Sequence, residues 1–76
     1  MTGWASRHPL VREKCEWLEP NPDLPAGAPA TVALVFRDMR DRLLELAGDG
    51  PQLALGLQHL IDAKDCVVRQ AIADSR

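Results

Sequence analysis

Aromatic residues are scarce in this chain. Trp4, Trp17 and Phe36 make up 4% of the sequence, and tyrosine is missing. Without a row of aromatic side chains there is no platform for stacking successive single-stranded bases. Positive charge is also short. A net charge of −2 and a pI of about 5.5 argue against a DNA or RNA binder, whose affinity comes from accumulated Lys and Arg. No apolar run reaches the ~18 residues of a membrane span. The opening Met-Thr-Gly-Trp-Ala-Ser-Arg-His-Pro has neither the apolar stretch nor the small-residue cleavage site of a signal peptide. A cytoplasmic location with no membrane partner is the expectation. Catalytic signatures are missing as well: Gly48-Asp49-Gly50 lacks a third glycine and a preceding strand, and no HExxH, CxxC or GxSxG occurs. Ser6 and Ser75 sit near the ends with no base held beside them. The expectation is a protein that is not an enzyme and needs no cofactor.

Cysteine is limited to Cys15 and Cys66, which read as reduced and partly buried residues. His8/Cys15 and His59/Cys66 share one spacing, but seven residues along a helix separate two side chains by roughly 10 Å. Zinc ligands must converge within about 2.3 Å of the ion. No metal site is expected.

What remains is the composition of a small folded domain: 76 residues, 46% hydrophobic and 26% charged, with mean hydropathy −0.17. A core this small rarely supplies more than about 3–5 kcal/mol without disulfides, metal or self-association. The pattern is all-α, one domain over residues 1–76. A short helix is expected over about 9–19, with Leu10, Val11, Cys15 and Leu18 at helical spacing, Pro9 in its first turn and Pro20 beyond its end. Residues 20–29 hold four prolines and a glycine, the composition of a stiff linker that lets the first helix stand away or reach a neighbouring subunit. In this division, residues 1–28 form the N-terminal helix and linker, and 29–76 an antiparallel helical hairpin. Its first helix, about 30–47, carries Val32, Val35, Phe36, Met39, Leu43 and Leu46. Gly48 is placed to end it in a left-handed conformation. Its second helix, about 51–74, carries Leu53, Leu57, Leu60, Ile61, Val67, Val68, Ala71 and Ile72, with Asp49 and Gln52 in a capping-box pattern. Both apolar arcs are wider than one seam, so identical chains are expected to associate as a homo-oligomer.

Several polar residues invite a functional reading. His59 and Asp62 lie one turn apart, the spacing of a solvated helix pair. Arg37 with Asp41 and Asp38 with Arg42 form opposite-sign i, i+4 pairs, which leaves Arg40 as the freest cation of that helix, open to an anionic ligand. Lys64 falls inside an apolar stripe. It either snorkels its ammonium to water or waits in an interface for phosphate. Gly56, costly in mid-helix by about 1 kcal/mol, suggests close approach of a backbone or ligand. Trp4 and Trp17 flank Arg7, Arg12 and Lys14, a mixture of rings and cations suited to a base and its phosphate, although Glu13, Glu16 and Glu19 restore the balance.

The segment Leu43–Ala73, with Gly50, Leu53, Leu55, Leu57, Leu60, Ala63 and Ile72 in place, resembles the helical hairpin of phage cyclic-nucleotide sponges, the anti-CBASS and anti-Thoeris proteins. The likeness covers about two-fifths of the chain. It implies a non-enzymatic protein that sequesters cyclic di- or trinucleotides made by bacterial immune enzymes. It further implies a homo-oligomer, often a hexamer, with ligands held between subunits in the host cytoplasm. Pro51 stands where such proteins often carry Arg, and Gln58-His59 where they often carry Thr-Lys. Gln58 and His59 retain the capacity to hydrogen-bond phosphate or base. The candidate ligand residues are Trp4, Arg12, Trp17, Arg40, Gln58, His59 and Lys64. The rival is an adaptor hairpin that docks a partner helix through its apolar faces. A helix-turn-helix DNA reader is poorly served by net −2 and by helices this long.

Overall fold

The computed structural model describes residues 3–76 as three α-helices: α1 (Pro9–Trp17), α2 (Ala28–Leu46) and α3 (Pro51–Asp74), preceded by a 3₁₀ turn at Gly3–Ser6. The all-α hairpin with a short N-terminal helix is therefore observed, and each boundary follows from local chemistry. Pro9 occupies the first turn of α1, where its missing N–H costs nothing, and His8 Nδ1 accepts from the Leu10 N–H at 3.2 Å. Gly27 opens α2 at φ +95°, a conformation L side chains rarely adopt, and Thr31 Oγ1 donates back to its carbonyl at 3.0 Å.

The connection between α2 and α3 differs from expectation in two ways. Gly48 is not left-handed; α2 ends at an extended Ala47, φ −128°. The carbonyls a glycine cap would have satisfied are taken by a side chain: Arg7 donates to the Leu44 oxygen at 3.0 Å and to the Ala47 oxygen at 2.7 Å. Nor does Asp49 cap α3. Its carboxylate accepts from Arg7 Nε at 2.6 Å and from the His8 N–H at 2.8 Å, so the helix starts from Gly50 with no side-chain cap. Here the carboxylate meets a full guanidinium charge as well as a backbone N–H, whereas a cap would give it neutral N–H donors alone.

The linker does not carry α1 away. α1 lies back on the hairpin, parallel to α3: His8 faces Asp49, Lys14 reaches Gln58, and Glu19 meets Lys64. Val11, Cys15 and Leu18 are 0–1% exposed and join Phe36, Leu57 and Ile61 in the core. Burying Val11 and Leu18 alone contributes roughly 4 kcal/mol, comparable to the whole stability of a domain this size, so α1 is part of the fold and not an arm.

The apolar stripes are also shifted. Of the six α2 positions expected inside, only Phe36 is buried; its companions are Pro29, Ala33 and Arg40. Val35, Met39, Leu43 and Leu46 are 38–70% exposed. On α3 the buried stripe is Leu57, Ile61, Lys64, Val68 and Ala71, while Leu53, Leu60 and Ile72 are half-covered and Val67 is exposed. At 3.6 residues per turn, α1 sits on one side of the hairpin seam and this bare apolar surface on the other. The α3 helix, about 36 Å long, sets the 40 Å long axis of the molecule.

Candidate functional site

The polar side chains that converge lie where the end of α1 meets the hairpin. Arg40 projects from the middle of α2 and is 1% exposed. Its guanidinium donates to the Cys15 carbonyl at 3.0 Å, to Asp41 at 2.9 Å and to the Glu19 carboxylate, and its Cζ stands 5.4 Å from the Trp4 ring centre. Arg40 is thus the most heavily partnered cation on α2, which corrects the expectation that it is the freest. The exposed charges pair differently as well: Arg37 meets Asp38, and Arg42 meets Glu45. Burial lowers the Arg40 pKa, but the hydrogen bonds it donates to Glu19 and Asp41 outweigh it and the net shift is upward.

Lys64, 7% exposed, occupies the same region from α3. Its ammonium neither snorkels to water nor stands open. It donates to the Trp17 carbonyl at 3.1 Å and the Glu19 carbonyl at 2.9 Å, closing the C-terminal end of α1, where a cation also meets the negative end of the helix dipole. Desolvation lowers its pKa, with Asp65 and Glu19 opposing.

The other candidates are scattered. Trp4 is half-buried against the core, and one face of its ring is taken by Arg40. Its indole Nε1 is buried with no partner among the described residues. Gln58 bridges Lys14 and Asp62, at 2.8 and 3.1 Å, so the pairing expected between His59 and Asp62 goes to Gln58 instead. Arg12, Trp17 and His59 are exposed and make no side-chain hydrogen bond among the described residues. Gly56 has open space where a Cβ would stand, so no close approach within the chain explains it. Cys15 is buried, Cys66 exposed, and neither is bonded. No cluster among the described residues could hold a metal ion.

One groove of about 260 Å³ opens between the start of α1 and the start of α3, floored by Leu10, Val11, Pro51 and Ala54 and rimmed by His8 and Asp49. It is smaller than most small-molecule sites and has a carboxylate at its rim, which disfavours phosphate. Sequence reasoning singled out Arg40 and Lys64, Arg40 as a free cation, but gave Arg7, Asp49 and Glu19 no part in holding the N-terminal third in place. The only signal for them is that Arg7 directly precedes a His-Pro helix start. No protein-family model matches the chain, and no curated protein and no solved structure matches it. No helix among the described residues is long and apolar enough to cross a membrane.

Proposed function

We propose that the protein captures a cyclic di- or trinucleotide without cleaving it, in the manner of the phage sponges its hairpin segment resembles, and acts in the cytoplasm where such messengers are made. The observation that carries this reading is that Leu43–Ala73, the segment of the resemblance, folds as the end of α2, a short turn and α3. With Arg40 and Lys64 held inside the chain, the groups left to meet a ligand are exposed Arg12, Trp17 and His59, Gln58 being engaged by Lys14 and Asp62. Capture of this kind works by slow release, which lowers the free messenger stoichiometrically.

Calorimetric titration with a panel of cyclic di- and trinucleotides tests the reading. The expected result is saturable binding, with intact ligand recovered after heat release. Trp17→Ala, which removes an exposed stacking surface, is expected to weaken binding about tenfold while helical content stays unchanged. Absence of binding across the panel favours the second reading, a helical adaptor. That reading has its own support: the two buried cations serve α1, and the bare face of the hairpin suits a protein partner.

A further inference from the structure

We propose that a second copy of the chain covers the bare side of the hairpin, α2 against α2 and α3 against α3, in an antiparallel four-helix bundle whose two-fold axis passes near Met39 and Leu60. This rests on the uncovered face and is independent of ligand capture.

The first support is symmetry in the sequence of that face. On α2, Val32, Met39 and Leu46 recur every seven residues, and on α3 Leu53, Leu60 and Val67 do the same; Met39, Leu46 and Val67 are exposed, while Val32, Leu53 and Leu60 lie at the edge of the face, half-covered by the chain's own core. Each trio is balanced about its middle member. An antiparallel two-fold therefore sets Val32 opposite the partner's Leu46, and Leu53 opposite the partner's Val67, as an isologous contact requires. Met39 lies eight residues before Ala47 and Leu60 ten residues after Gly50, so the two centres stand at nearly one level, within about 3 Å along the hairpin. One axis can serve both pairs of helices.

Charge and shape agree. Asp38 and Arg42 flank the α2 stripe on its outer edge and are both exposed. The same axis brings Asp38 of each chain toward the partner's Arg42, twice across the seam, which fixes register more than it adds affinity. On α3 it sets Gly56 within one residue, about 1.5 Å, of the level of the partner's Ala63, and both positions are exposed in the single chain. A Cβ at Gly56 would meet nothing in the isolated fold. Close approach of a second α3 gives this mid-helix glycine the purpose that the single chain does not. Two helices about 28 and 36 Å long and about 10 Å wide present a side of roughly 600–700 Å² before roughness is counted. A stable interface takes about 800 Å² per partner. The face is of the right size for its own copy.

Sedimentation of the full chain at micromolar concentration is expected to give twice the 8.4 kDa monomer mass, or a multiple of it. In a Cys66→Ser background, Met39→Cys and Leu60→Cys are each expected to cross-link to a covalent dimer under a mild oxidant. Arg37→Cys, about 160° around α2 from Met39, is expected to stay single. Met39→Asp should shift the protein to monomer with helical circular dichroism retained; should that variant unfold, the conservative cysteine pair alone decides. A monomeric wild-type chain overturns the proposal, and so does an oligomer whose Met39→Cys chains fail to cross-link. Cross-linking without any nucleotide binding upholds the bundle and sets aside the ligand reading alone.

Discussion

Arg40 concentrates the energetics of single residues in this fold. A guanidinium at 1% exposure carries a large desolvation cost, offset here by Glu19, Asp41, the Cys15 carbonyl and the Trp4 ring. Truncating it leaves that carbonyl facing a void and leaves Glu19 and Asp41, each nearly half exposed, without their cation. Arg40→Ala is expected to cost about 3 kcal/mol, read from the shift in urea midpoint; a loss under about 1 kcal/mol would make the cluster no stronger than a surface pair. The thiols give a second residue-level outcome. Burial pushes the Cys15 thiol up and hides it, whereas Cys66 is exposed. One thiol of two should react with a soluble disulfide reagent in the native protein, and both in denaturant. Two rapid native reactions would mean that α1 opens readily. That Lys64 belongs to a buried stripe was legible from its register with Leu57 and Ala71. Its partners were not. They lie 47 and 45 residues away on backbone carbonyls, and no spacing in a sequence encodes a carbonyl at a helix end.

The helices themselves were readable because proline and glycine punctuate them, and α3 begins at the expected Pro51 and ends at the expected Asp74. The path of α1 was not, since a Pro-rich stretch looks the same whether it extends a helix into solvent or turns it back. Which edge of each apolar arc faces inward was equally hidden. Val35, Met39 and Leu43 are as apolar as Phe36, and only the position of α1 separates covered from bare. The clasp that pins α1 to the α2–α3 connection has a pH signature. The His8 N–H and then the Arg7 guanidinium hold the Asp49 carboxyl below its ordinary value. A depressed carboxylate contributes stability that is complete above its unfolded pKa and is lost as pH falls through the folded one. Wild-type urea midpoints should therefore fall between about pH 5 and pH 2 more steeply than those of Asp49→Asn. The His8 amide resonance should titrate with the same low midpoint. Parallel pH curves for the two proteins would show that the clasp adds nothing to α1 docking.

At the scale of the whole molecule, the balance of apolar surface decides how the chain exists. Among the described residues, nine hydrophobic ones form the core, and nine large ones, from Leu10 to Val67, remain exposed. Five of the exposed set, Val35, Met39, Leu43, Leu46 and Val67, fall on the single side that α1 leaves bare, so they are not the scattered surface leucines any protein carries. A chain that hides them in a second copy links folding to association, and its stability then follows mass action. A tenfold rise in concentration should raise the thermal midpoint of such a dimer by about 4 °C, from about 1.4 kcal/mol per tenfold spread over a two-chain unit. Saturating cyclic nucleotide should raise it further only in a protein that captures the ligand when folded. The two axes separate the readings. A midpoint that climbs with both protein and nucleotide fits a self-assembled sponge. One that climbs with protein alone fits an assembled hairpin that serves another partner. A midpoint indifferent to protein concentration leaves the five side chains in water and removes the physical reason for two chains to meet.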